Sequence, residues 1–396
     1  MLRFALSPTK DMHIDDLRVA IFNYLHSLQI NDNFIVRIED IAKVKNIDGK
    51  DEEILMILEK FAIIHSQKLY QSENLHIHQT LAIRLLQEKK AFISIYNSKD
   101  KEDNLVDNKL DIKELKESKI PFVISLKKQN DDIDSFVILQ EDGLPTLTFS
   151  SACDDMLSGV DFIIDKEENI SNIQKQEYIK KALGYDLITK YAHLPTILNV
   201  VDDKFTIKWL LQEGFLPDAI INYLILLGNN NQAPKEIFTL PEALEWFKLE
   251  NISTEAISFD IDKLKSINKE HIRLMDDKKL STLFGFSEDN IGKLAKLYLQ
   301  EVSTINQIDE KIKLVFSQKE LIDGLAEEMK IIQDIILNAP MFQNFDDFKE
   351  YIISNSKIEE KKLLKSLRVL ITGEEQGVDL SEIYPLIKSY ITEIIL

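Results

Sequence analysis

The feature that most constrains this chain is a change of hydrophobic period near residue 205. Strand and helix patterns alternate before it, and almost wholly helical patterns follow it. Arg3 to Leu6 is a short extended run, and Ser7-Pro8-Thr9 reads as a turn. From Asp15, apolar residues recur at Leu17, Ala20, Ile21, Tyr24, Leu25 and Leu28, close to helical spacing. Asp15 or Asp16 is the expected cap of that helix. Phe34 to Ile38 reads as a second strand, and Asp51 to Phe61 as a second helix with Ile54, Leu55, Leu58 and Phe61 on one face. Strands return at Phe122–Leu126 and Phe136–Leu139, and a further α/β stretch runs from Ser150 through Leu198. Such alternation predicts a parallel sheet with helices over it. Beyond Phe205, Pro217, Gly228, Pro234, Pro241, Gly285, Pro340 and Gly373 punctuate helices. Asn97 to Lys119 is dense in Asp, Glu, Lys and Asn and reads as a surface insertion. No repeat, low-complexity tract or coiled coil interrupts this plan.

At 396 residues the chain is too long for one compact core, so two to four units are expected. A single cysteine, Cys153, excludes an internal disulfide and a thiolate-built zinc site, and fits a reducing cytosol. The first residues show no basic stretch followed by an apolar run. The longest apolar run, Phe215 to Gly228, contains Asp218 and Asn222 and is too short to span a bilayer. A cytoplasmic location away from membranes follows. The net charge of −19 argues against sequence-blind binding to nucleic acid, DNA included, while leaving room for a local basic face.

Arg3-Phe4-Ala5-Leu6-Ser7-Pro8-Thr9-Lys10 followed by His13-Ile14-Asp15 resembles the opening R-F-A-P-S-P-T-G … H-I-G of bacterial glutamyl-tRNA synthetases. Val36-Arg37-Ile38-Glu39-Asp40 is similar to that family's R-I-E-D. Ala152 to Asp155, Tyr191 to Pro195, Glu213 to Pro217, Ala243 to Phe247 and Leu370 to Gly373 follow in family order. One such match is weak, but this series in order over most of the chain is specific. The resemblance implies a Rossmann-type class I catalytic fold, with an all-α half after it. Residues 1–92 and 146–200 would form the catalytic-like domain, and 93–145 a shortened acceptor-stem insertion. Residues 201–265 would form a helical stem-contact region, and 266–396 an α-helical anticodon-binding-like domain.

The family's reaction joins glutamate to the α-phosphate of ATP and then moves the acyl group to a tRNA ribose. It needs close backbone approach to ATP, cations for the phosphates and a cation for the substrate side chain. In the family, the H-I-G glycine lets the nucleotide lie against the backbone. Here that position is Asp15, with Asp16 beside it. Two like charges about 4 Å apart repel by about 4 kcal/mol at an effective dielectric near 20, roughly a thousandfold in binding. Lys10, where the family has glycine, could offset part of this. As a purely structural alternative, Asp15 is a helix cap.

The family's mobile K-M-S-K-S-type loop after Y-A-H-L-P is missing. If Lys204-Phe205-Thr206-Ile207-Lys208 is its remnant, the critical second lysine has become Ile207. Of the two arginines that read glutamate, Arg3 stays and the second becomes Asp165; the assisting tyrosine becomes Leu147. An aspartate there repels a carboxylate that an arginine would clamp, and an amine-bearing ligand is better tolerated. By resemblance Arg3, Ser7 and Glu39 are substrate-binding, and His13 and Lys204 are remnants of the ATP site. Retained Glu39 and Asp40 also end a core strand, which would explain them equally well.

His76 and His78 share one strand face or turn without further ligands, so no metal is expected. Asp154-Asp155 and Glu167-Glu168 are adjacent pairs whose side chains diverge. Cys153 has no flanking cation and should be buried and inert. Lys361, Lys362, Lys365 and Arg368 recur on one helix and could meet tRNA phosphates, or be a solvated face. The first reading is therefore a synthetase-like protein that has lost aminoacylation and serves as a tRNA- or protein-binding scaffold, with a genuine synthetase as one candidate protein partner, and without cofactors. The alternatives are an interaction or regulatory module without tRNA, and an active glutamate–tRNA ligase using ATP and Mg.

Overall fold

The computed structural model describes residues 1–95, 117, 121–128, 133–200, 205–229 and 233–396. The segment read as a surface insertion, 97–119, and Lys204 of the loop remnant lie outside the described residues, except for residue 117.

The chain divides into two compact units, each built from two stretches. The first holds Met1–Trp209 and Leu224–Phe259; the second holds Leu210–Tyr223 and Asp260–Leu396. The first is organised on a parallel sheet of β1 (Leu2–Leu6), β2 (Phe34–Ile38), β3 (Gln67–Tyr70), β7 (Phe162–Lys166) and β8 (Lys190–Leu194), in the order β3-β2-β1-β7-β8. β1 and β2 run in register from Leu2 opposite Phe34 to Leu6 opposite Ile38. Their apolar runs are those of strands covered on both faces. Helix α1 (Ile14–Gln29) buries Leu17, Ala20, Ile21, Tyr24 and Leu25, as its spacing predicts, while Leu28 remains half exposed. Helices α2 (Lys50–Lys60), α3 (Leu75–Gln87), α4 (Leu147–Ser158) and α5 (Ile170–Ala182) complete the doubly wound arrangement. The Rossmann-type fold is present.

Because β1 is flanked by β2 on one side and β7 on the other, successive connections leave it in opposite directions. A crevice opens at such a switch point, beyond the carboxyl ends of the strands. Strands β4 (Ala91–Ile95), β5 (Phe122–Leu126) and β6 (Phe136–Leu139) form a separate antiparallel sheet. Two short strands, β9 (Ile197–Leu198) and β10 (Ile257–Ser258), pair in parallel.

The second unit is helical throughout its described length. Leu294, Ile308, Ile332, Phe348, Leu367 and Tyr384 belong to its shared core, with Phe348 and Tyr384 stacked at 4.6 Å between centroids. Gly292 permits a close crossing: a Cβ there would meet the Asp277 carbonyl oxygen at 1.9 Å. Buried Asn268 accepts from the Leu216 amide at 2.8 Å and donates to the Ser303 carbonyl at 2.7 Å, binding the two stretches of this unit.

Candidate active site

Two arginines in the middle of central strands set the site's chemistry. Arg3 on β1 and Arg37 on β2 are both almost fully buried, and a guanidinium has no stable place there without an acid. Asp155 of α4 supplies it: Oδ1 accepts from Arg3 Nε at 3.2 Å and from Arg37 Nη1 at 2.5 Å. Burial pushes the Asp155 carboxyl upward, but Arg3 and Arg37 outweigh it and hold the group below the usual aspartate range. Arg37 also gives Nη2 to Glu39 Oε1 at 3.1 Å, and Ser151 donates to the same oxygen at 2.9 Å. Glu39 is thus fixed at the end of β2. Asp40 beside it accepts from the amide and hydroxyl of Ser72, at 2.8 and 2.6 Å.

Above this floor lies a cleft of about 310 Å³, lined among others by Arg3, Ser7, Lys10, Glu39, Leu147 and Asp165. Every family-matching substrate position thus reaches one space. Asp165, at the end of β7, accepts from the Lys166 amide at 2.8 Å and from Asn169 at 2.9 Å through Oδ1. Its Oδ2 stands 3.8 Å from Arg3 Nη1, an internal carboxylate facing the retained arginine. Leu147 opens α4 with its side chain about half exposed.

The start of α1 differs from the sequence expectation. His13, not Asp15 or Asp16, is the N-cap, with an extended backbone at φ −88° and ψ 166° held by an antiparallel bridge to Thr206. Asp15 is therefore the second helical residue and Asp16 the third, where its Oδ2 accepts from the His13 amide at 3.1 Å. Both carboxylates meet Lys166: Nζ is 2.6 Å from Asp15 Oδ2 and 2.6 Å from Asp16 Oδ1. Burial works against the ammonium, and Asp16 and Asp15 more than compensate, raising its pKa above that of an ordinary lysine. A helix N-terminus ordinarily attracts anions. Here it is already occupied by two carboxylates and their own counter-ion.

A second cleft of about 320 Å³ adjoins this cluster, lined by Lys10, His13, Asp15, Lys166, Pro195 and Thr196 among others. Lys10 lines both clefts, but the partner of Asp15 is Lys166, which sequence reasoning missed together with Arg37, Ser151 and the role of Asp155. The available signal was that Lys166 follows Asp165 at the end of a strand bordering the crevice. Ile207 is fully buried, and its amide donates to the Met12 carbonyl at 2.8 Å. Lys208 lies 3.6 Å from Glu53 and so is already paired with a carboxylate.

His76 and His78 lie on helix α3 rather than on a strand. Two residues apart on a helix, they face different ways. His78 is buried against Asp154, Nε2 to Oδ1 at 2.8 Å, and Asn74 and Gln71 also donate to that carboxylate. Asp154 and Asp155 thus diverge into separate networks. Among the described residues, no three His, Cys, Asp or Glu side chains gather as a metal-ligand set. Cys153 is fully buried, and burial with Asp154 and Asp155 nearby pushes its thiol well up.

In the second unit, the candidate basic face on Glu360–Thr372 is largely committed internally. Lys362 meets Glu328 at 3.2 Å, Lys365 meets Glu375 at 2.9 Å, and Arg368 donates to the Val378 carbonyl at 2.8 Å. Lys361 is exposed. Among the described residues, no helix is long and apolar enough to cross a membrane.

Comparison with known proteins gives a consistent picture. A family model described as tRNA synthetases class I (E and Q), catalytic domain, matches residues 1–120 and 98–266. The chain is 51% identical to a glutamate–tRNA ligase 2 of Sulfurovum sp. (strain NBC37-1) and 44% identical to one of Sulfurimonas denitrificans, covering all of both chains in each comparison. The first alignment extends over 436 positions although this chain has 396 residues, so stretches of that relative have no counterpart here. Its fold is similar to that of a crystallised glutamate tRNA ligase from Elizabethkingia meningosepticum, with a TM-score of 0.79 at 21% identity, covering 100% of this chain and 98% of that one.

Proposed function

We propose that this chain, which belongs to the glutamate–tRNA ligase family of class I synthetases, no longer forms an aminoacyl-adenylate and is kept as a tRNA- or protein-binding scaffold. The observation that carries this reading is Lys166 clasped between Asp15 and Asp16 at the N-terminus of α1. A triphosphate approaching there meets two carboxylates, and the ammonium of Lys166 is already shared by them. Two further features support it. Asp165 opposes a second carboxylate beside Arg3, and the site of the loop lysine holds buried Ile207. On this reading Arg3, Ser7 and Glu39 are retained crevice residues, and His13 and Lys204 are remnants of nucleotide handling.

The active-ligase reading has its own support in the 51% full-length identity to a ligase and in the retained Arg3, Ser7 and Glu39. It would require ATP and Mg, with Lys10 supplying the missing cation. Pyrophosphate exchange with glutamate, ATP and tRNA separates the two: the scaffold reading expects no exchange above background, and a robust signal overturns it. Binding of tRNA across a salt series then divides the scaffold reading. A steep fall in affinity with salt marks phosphate contacts, whereas no binding at low salt leaves a protein partner or a regulatory module.

A further inference from the structure

We propose that the crevice at the carboxyl end of β1 binds a basic amino acid, a molecule with one carboxylate and two cationic nitrogens. The inference rests on the reading that glutamate is no longer the ligand, and it names what replaces it.

The charged groups that face the cleft are satisfied on their inner sides and open on their outer ones. Glu39 receives both Arg37 and Ser151 on Oε1, and among the described residues no donor reaches its Oε2. Asp165 receives the Lys166 amide and Asn169 on Oδ1, and among the described residues its Oδ2 has only Arg3 at 3.8 Å, beyond hydrogen-bond reach. Arg3, more than nine-tenths buried, spends Nε on Asp155 and turns Nη1 toward the same long contact. Two carboxylate oxygens and one guanidinium edge therefore remain for a ligand.

The charge balance chooses its class. Arg3 and Arg37 are set against Asp155, Glu39 and Asp165, which leaves the floor one negative charge in excess. The adjoining group, Lys166 with Asp15, Asp16 and the more exposed Glu168, is two negative charges in excess, and the exposed Lys10 at the same cleft can offset one of them. Glutamate, with net charge −1, worsens this balance, and a basic amino acid, with net charge +1, relieves it. The ligand's carboxylate goes beside Arg3, its α-ammonium to Glu39 and its side-chain ammonium to Asp165. A cleft of about 310 Å³ accommodates a molecule of that size.

Titration calorimetry of the full chain with L-ornithine, putrescine and L-glutamate tests the proposal. Ornithine should bind at least tenfold more tightly than either of the others. Asp165→Asn, which keeps the Oδ1 acceptor and is checked for native circular dichroism, should weaken ornithine at least tenfold. No ornithine binding at millimolar concentration, unchanged affinity in the folded Asp165→Asn protein, or tighter binding of glutamate each overturns it. Putrescine binding as well as ornithine removes the carboxylate seat at Arg3 and overturns it too. Glutamate-dependent pyrophosphate exchange, measured in parallel, would overturn the underlying reading as well; absent exchange together with absent ornithine binding overturns this inference alone.

Discussion

Replacing Lys166 by methionine removes the ammonium from the α1 cluster while keeping most of the side chain's length. Both carboxylate oxygens lie 2.6 Å from that nitrogen. They are therefore within about 5 Å of one another, where two unit charges repel by roughly 3 kcal/mol at an effective dielectric near 20. Asp15 is about a third exposed, so solvent screening cuts the repulsion to about 1.5 kcal/mol. Asp16 is almost fully buried and would keep only the His13 amide, a loss of roughly 1–2 kcal/mol for a charged group. The sum, about 3 kcal/mol, lowers the melting temperature by roughly 6–12 °C for a unit of this size. Trp209 and Trp246, the chain's two tryptophans, both lie in the first unit, so their fluorescence reports on it selectively. The decisive readout is a change of sign. Asp15→Asn should destabilise the parent, where it breaks an ion pair, but restore about 1 kcal/mol or more in the Lys166→Met background, where it removes a repulsion. If Lys166→Met melts within about 2 °C of the parent, or if Asp15→Asn destabilises both backgrounds equally, the cluster does not carry the charge coupling argued for it.

Two further outcomes are expected. The Asp155 carboxyl titrates in the folded chain below its unfolded value of about 3.9, so its contribution is intact above that pH and lost as pH falls through the folded value. Arg37→Met, which removes one of its cations, should therefore move the acid-unfolding midpoint, followed by tryptophan fluorescence, to higher pH; an unmoved or lowered midpoint counts against the network. Cys153 should react with a thiol reagent on the order of a hundredfold more slowly in the native chain than in urea, corresponding to an opening free energy of about 3 kcal/mol or more; comparable rates would mean α4 is not packed as described.

The α/β half was legible because a parallel sheet writes itself into continuous apolar strands, as in Phe34–Ile38, and α1 into a helical period from Leu17 to Leu25. The helix boundary was not, because two aspartates in sequence look like caps, whereas the bridge between His13 and Thr206 starts the helix earlier. Strand β3, Gln67–Tyr70, carries too little apolar character to announce itself. At the candidate site, sequence order supplied Arg3, Glu39 and Asp165 but not who neutralises whom. Lys166 meets Asp16 across 150 positions of chain and Asp155 meets Arg3 across 152, separations that no local pattern encodes.

The interleaving of the two units also bears on synthesis. Strand β9 finds its neighbour only when Ile257 is made, after residues 210–223, which belong to the other unit. Those fourteen residues must wait, partly apolar and without their core, while the earlier unit closes around the segment that follows them. The range that holds the first unit whole, 1–259, and the range that holds the second whole, 210–396, therefore overlap in sequence, so no single cut between 210 and 259 gives both units complete.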